Sequence, residues 1–148
     1  MTDFAVLRAP SQVLFGCGIA AAAGEVAAEL GRRALVITDP VIAETPGFAT
    51  VLDSLRALEV TIFSEAAVDV PRSAVDAAFA RGETARAEVI VAVGGGSVID
   101  LAKVTALQLT HGAPLSNYYA VGSGPLYVSN DAGLTWTVTS TTPGGGAT

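Results

Sequence analysis

The chain has 148 residues, 51% of them hydrophobic and 15% charged, with a formal net charge of −6. Such a length suits one domain with a fair core rather than a disordered segment, and the acidic balance argues against a nucleic-acid surface. Cys17 is the single cysteine, so no internal disulfide can form; no apolar run reaches the ~20 residues needed to span a bilayer, and an N-terminus without a basic, apolar leader makes the cytoplasm the expected compartment.

In chain order, Phe4 to Arg8 and Gln12 to Phe15 read as short strands interrupted by Pro10, an arrangement expected at a sheet edge. Gly16-Cys17-Gly18-Ile19-Ala20-Ala21 matches the loose dinucleotide pattern G-x-G-x-x-A, with Asp39 at about the distance of a ribose-binding acid. Val13-Leu14-Phe15 is a brief run for the central strand that such a fingerprint needs, and the competing reading is a turn that starts the next helix. That helix covers about Ile19 to Leu30, with Gly31 placed to end it.

Ala34-Leu35-Val36-Ile37-Thr38 is a continuous apolar strand with Asp39 at its carboxyl end, where ligands bind in open α/β sheets. A carboxylate there can accept hydrogen bonds from both ribose hydroxyls and repel a 2′-phosphate, which favours NAD over NADP. Alternatively, Asp39 starts the turn before Pro40. A helical stretch from Val41 to Leu58 is expected to break near Thr45-Pro46-Gly47, followed by a strand at Val60 to Phe63, a loop from Ser64 to Pro71 and a helix from Ser73 to Ala87. The charges of that last helix, Arg72, Asp76, Arg81, Glu83 and Arg86, read as a wet surface. Alternating strands and helices, each strand near-uniformly apolar, predict an α/β fold with a parallel sheet covered on both faces.

The next stretch organises the chain. Glu88-Val89-Ile90-Val91-Ala92-Val93, apolar except for Glu88, reads as a strand buried on both faces, after which Gly94, Gly95 and Gly96 stop it and Ser97 opens a helix. Glycines let backbone N–H groups approach an anion closely, and the helix dipole favours negative charge. Ser97 and Asp100 have the spacing of a capping box, so Asp100 is either a helix-cap acid or a binding residue. Lys103 lies within the first two turns of a mostly apolar helix, where a cation needs an anion or a route to water. No Gly-Lys-Ser/Thr follows the glycines, so this is not a Walker loop.

Gly94-Gly95-Gly96-Ser97-Val98-Ile99-Asp100-Leu101-Ala102-Lys103 resembles the G-G-G-S-x-x-D-x-A-K signature of the iron-containing (group III) alcohol dehydrogenases, a resemblance that runs from about Phe4 to Tyr119. It implies a Rossmann-like domain over residues 1–119 that holds NAD(P), with Asp39 discriminating the ribose and Gly94, Gly95, Gly96, Ser97, Asp100 and Lys103 at the cofactor. It also implies that the family's iron or zinc, held by an Asp and three histidines, belongs to a separate helical half not contained in these residues. His111, the single histidine, reads as a helix-terminal dipole partner.

Residues 120–148 depart from the α/β pattern, with Asp131 as their one charged residue and a surplus of Gly, Ser and Thr. Thr141-Thr142-Pro143-Gly144-Gly145-Gly146-Ala147-Thr148 partly resembles the family's V-P-T-T-A-G-T-G-S-E loop at the ribose and nicotinamide, without its glutamate, which implicates Thr141 and Thr142. Ser129-Asn130-Asp131-Ala132-Gly133-Leu134-Thr135-Trp136 resembles the S-x-D-x-G-x-T-W Asp-box, and the flanking apolar runs predict a β-hairpin. This tail is either a hairpin packed on the sheet edge or foreign sequence joined to a truncated domain.

Two functions stay open from these residues. One is the NAD(P)-binding part of an oxidoreductase acting on an alcohol, aldehyde or ketone; the other is a dinucleotide-binding module without turnover. The expected partners are a dinucleotide and, through the N-terminal edge strand or exposed apolar surface, a second copy of the chain.

Overall fold

Strand β1 (Arg33–Thr38) is buried from Ala34 onward, and it lies between two parallel neighbours, β2 (Glu59–Phe63) and β3 (Val89–Val93). Leu35 stands opposite Thr61 on one side and Ile90 on the other. The computed structural model describes residues 13–112 and the backbone of two short strands, Leu126–Val128 and Thr137–Ser140. The strand expected at Phe4 to Arg8, the predicted hairpin turn, and Thr141 and Thr142 lie outside the described residues.

Because side chains alternate across a strand, β1 feeds two cores. Leu35 and Ile37 pack with Val75 and Ala78 of α4 (Arg72–Ala85) and with Val98 and Leu101 of α5 (Gly96–His111). Ala34 and Val36 pack with Ala27 of α1 (Ala23–Leu30), Phe48 and Val51 of α3 (Pro46–Ser54), and Leu55. Helices therefore cover both faces of a parallel sheet, the α/β class expected from the alternation of elements. No helix among the described residues is long and apolar enough to cross a membrane.

Several expectations are corrected. Among the described residues the run ahead of the glycines is not the strand buried on both faces: within β3 only Val89 is buried, and the central position belongs to β1. Short β-branched runs look alike whether they lie in the middle of a sheet or at its rim. The helix at Ile19 to Leu30 begins as a 3₁₀ turn, Ile19–Ala22, before α1. There Gly24 lets α1 and α3 touch, for a Cβ on it would lie 1.8 Å from the Ser54 carbonyl oxygen. Val13 to Phe15 forms no strand, and Val13 and Phe15 are exposed.

The stretch from Val41 divides as foreseen near Thr45, giving α2 (Pro40–Ala43) and α3, but α3 ends at Ser54 rather than Leu58. Each helix opens with proline at its first position, where the missing N–H is no loss. Gly31 does end α1, with an extended backbone that any residue could adopt. Its use is spatial, since a Cβ would stand 2.6 Å from Glu88 Cβ.

Glu88 accepts hydrogen bonds from the Arg32 and Arg33 N–H groups, at 2.7 and 3.3 Å, and pairs with the Arg33 guanidinium. The Arg32 N–H contributes most to holding its carboxyl below the ordinary value. The strands Leu126–Val128 (β4) and Thr137–Ser140 (β5) pair antiparallel, Tyr127 opposite Val138, in a sheet of their own. This antiparallel pairing agrees with the hairpin expected of the tail, whose turn lies outside the described residues; among the described residues no further strand joins the parallel sheet.

Candidate functional site

The carboxyl ends of β1 and β3 are tied by one side chain. Thr38, fully buried as the last residue of β1, donates its hydroxyl proton to the carbonyl oxygen of Val93, the last residue of β3, at 2.8 Å. The Thr38 carbonyl in turn accepts from the Ala66 N–H at 3.1 Å. Asp39, the glycine turn and the loop Ala66-Ala67-Val68 thereby share one cleft of about 350 Å³, lined also by Gly95, Gly96 and Ser97. This is the rim where open α/β sheets take their ligands.

The three glycines have separate reasons. Gly94 holds a φ of +156°, and a Cβ on it would fall 2.7 Å from Val98 Cγ2, so the turn closes onto α5 only without a side chain there. A Cβ on Gly95 or Gly96 would meet nothing within 4 Å. Those two positions leave space over the backbone, which is what a bulky anion requires.

The capping box is not formed. Helix α5 starts at Gly96 with Gly95 as its N-cap, no side chain caps it, and no acid lies in its first turn. The turn closes two residues earlier than the Ser-x-x-Asp spacing implies, which puts Ser97 inside the helix and Asp100 beyond its reach. The first N–H groups of any α-helix lack intrahelical partners. Here they come without a side-chain substitute, at the positive end of the helix dipole.

Half-buried Asp39 caps α2, its Oδ1 accepting from the Val41 and Ile42 N–H groups at 2.9 Å each. The turn-starting reading is thus realised, and a ribose reading has to work through the other carboxyl oxygen. Asp100 and Lys103 are exposed and paired to each other at 3.2 Å. Both line an adjoining hollow of about 610 Å³ that shares Ser97 with the cleft.

Of the residues singled out in sequence, Asp39, Gly95, Gly96 and Ser97 come together, Gly94 shapes the turn beneath them, and Asp100 and Lys103 stand next door. The pair Gly16 and Gly18 does not line the cleft, and no strand precedes it among residues 13–15. His111 closes the far end of α5, ~20 Å along the helix from Ser97 at about 1.5 Å per residue. Sequence reasoning missed Thr38 and the loop from Ala66 to Val68. A hydroxyl ending an apolar run was the signal for Thr38; an Ala-Ala-Val loop offers no chemical type to notice.

A glycine turn and an open helix start at the carboxyl rim of a parallel sheet define a Rossmann-like α/β domain. The family model described as iron-containing alcohol dehydrogenase matches residues 10–148, and the chain belongs to that family. It is 33% identical over 101 residues to a 4-hydroxybutyrate dehydrogenase of Cupriavidus necator, covering 68% of this chain and 26% of that protein. It is 39% identical over 101 residues to a maleylacetate reductase of Sphingobium indicum, covering 68% and 28% respectively. Among solved structures, an archaeal halo-thermophilic alcohol dehydrogenase from a Red Sea brine pool matches with a TM-score of 0.74 at 26% identity, over 81% of this chain and 32% of that one. The chain thus spans between a quarter and a third of the length of these proteins.

The space above Gly95 and Gly96 and the uncapped helix start leave room and backbone donors for an anionic group such as a diphosphate. No group of three or more His, Cys, Asp or Glu among the described residues could hold an ion.

Proposed function

We propose that this chain is the NAD-binding portion of an iron-type alcohol dehydrogenase. The observation that carries the reading is the open space over Gly95 and Gly96 at an uncapped helix start, within one cleft of a carboxylate on the neighbouring strand. The backbone N–H groups of the first turn of α5 would take the diphosphate, and Ser97 would add a hydroxyl. The free oxygen of Asp39 would accept from the ribose and disfavour a 2′-phosphate. Asp100 and Lys103, in the adjoining hollow, would balance charge further along the cofactor, and Thr141 and Thr142 would meet its ribose and nicotinamide end.

When bound, NAD supplies a hydride acceptor, and NADH a hydride donor, for an alcohol and its aldehyde or ketone. Relatives named as dehydrogenases and reductases support an oxidoreductase. The test is a fluorescence titration of the purified chain with NADH: saturable binding is expected, and its absence overturns the reading.

For the isolated chain we infer binding without turnover, with the iron or zinc ligands on the family's remaining fold. The lack of a metal-ligating cluster among the described residues favours this. Robust alcohol oxidation by the chain with added iron or zinc would defeat it. The exposed apolar side chains Val13, Phe15 and Leu30 would be covered by that remaining fold or by a second copy.

A further inference from the structure

We infer that Thr38 is the positioning residue of the cleft: its hydroxyl sets the glycine turn, and its backbone sets the opposing loop. The inference rests on the dinucleotide reading above and adds to it a residue that does not itself line the cleft.

Among the described residues Thr38 is the one fully buried polar residue of the parallel sheet, 0% exposed at the end of a strand otherwise composed of apolar side chains and Arg33. Packing alone would be served by valine, which has the same shape, so the hydroxyl calls for a reason. Its bond to the Val93 carbonyl fixes the residue immediately before Gly94. Beyond Val93 the paired register of β1 and β3 stops, and Pro40, two residues past Thr38, has no N–H to offer. The side chain supplies a tie where the backbone ladder has run out. The Thr38 carbonyl then holds the Ala66 N–H at 3.1 Å and so fixes the loop on the other side of the cleft. Asp39, covalently next, is aimed by the same backbone. One residue thus registers three walls, and a small error in any wall is felt by a ligand that must touch all of them.

The test compares Thr38→Val and Thr38→Ser in the purified chain, reading NADH affinity by titration and folding by thermal melting. Removing the hydroxyl leaves the Val93 carbonyl unpaired and lets the turn relax, so Thr38→Val is expected to bind NADH roughly tenfold more weakly. Thr38→Ser keeps the donor and should bind within about twofold of wild type even if it melts earlier, because it loses only a buried methyl. A Thr38→Val protein that is folded and binds normally overturns the inference. So does weakening by both variants in step with their melting temperatures, which would mark a purely structural residue. Failure of the wild-type chain to bind NADH at all overturns the dinucleotide reading, and this inference falls with it.

Should Thr38→Val not fold, amide hydrogen exchange on the wild-type chain decides instead. NADH is expected to slow the Ala66 amide together with those of Gly94 to Ser97. Protection of the turn with Ala66 unchanged would overturn the shared tie.

Discussion

Two kinds of helix start lie within one molecule. Helices α2 and α3 open on side-chain oxygens: Asp39 Oδ1 receives the Val41 and Ile42 N–H groups, and Thr45 Oγ1 receives that of Phe48. Both then continue with proline. Helix α5 has neither device, only Gly95 ahead of Gly96. It is the longest of the three, with 16 residues, and tertiary packing through Val98 and Leu101 stabilises it without a cap. The first two starts are capped by side chains, whereas the third, like that of α4, has no side-chain cap, and unlike that of α4 it stands beside the glycine turn and the cleft.

The largest test of this contrast lies in the glycine turn. Gly95→Val should lose NADH binding by about 100-fold or more, roughly 2.7 kcal/mol, because the new side chain fills the space required by the diphosphate. The melting temperature should barely move, since the backbone at Gly95 is extended and a Cβ there meets nothing within 4 Å. Gly94→Ala should fail in the opposite way, losing stability first through the collision with Val98. Titration calorimetry and melting on both variants separate the two; a Gly95→Val chain with normal affinity removes the site.

Next in size is Asp39, which serves both sides of the comparison as a cap for α2 and a wall of the cleft. Asp39→Gly should shift the NAD/NADP affinity ratio toward NADP by roughly tenfold, within the several kcal/mol that like-charge contacts can cost. Its effect on stability should stay within a few tenths of a kcal/mol, because glycine is a tolerable N-cap. Asp39→Asn keeps the cap and removes the charge, so it should shift the ratio with no loss of melting temperature. Paired titrations with NADH and NADPH give the answer, and an unaltered ratio in both variants removes the carboxylate from specificity.

Much of this was legible in the letters. The alternation of apolar runs and helical spacing gave the strands at Ala34, Val60 and Val89 to within a residue, because burial against two layers of helix demands that pattern. The glycine turn and Asp39 stood out because few residue types can do what those positions require. The order of strands was not legible: β3 is the more uniformly apolar in sequence, and only pairing makes β1 central. Ser97 and Asp100 misled for a related reason. A capping box is a spacing, and a backbone that turns two residues early leaves the spacing intact and the cap unmade. Thr38 escaped because its role depends on a strand 55 residues away.

A smaller effect belongs to the self-finished starts. Thr45→Ala removes the acceptor for the Phe48 N–H and should lower stability by about 1 kcal/mol, leaving NADH affinity within twofold. Chemical denaturation measures the first and titration the second. A large fall in affinity would mean that α3 and the cleft are coupled, and that the two kinds of helix start are not independent.

The smallest effect lies at the opposite rim of the sheet, where the chain supplies its own anion. The Glu88 carboxylate receives the Arg32 and Arg33 N–H groups at the start of β1, much as a diphosphate would receive those at the start of α5. The Arg32 N–H, and behind it that of Arg33 and the Arg33 charge, hold the Glu88 carboxyl below its ordinary value of 4.5 in the folded chain. A carboxyl whose folded value is depressed adds stability that is present above the unfolded value and is lost as the pH falls through the folded one. Glu88→Gln should therefore melt below wild type at neutral pH, and the gap should close as the pH drops below 4.5. The group is exposed enough for solvent to keep the difference small. Melting curves of both proteins across that range check it; a gap constant with pH would show that the Glu88 charge takes no part in holding the amino ends of β1 and β3 together.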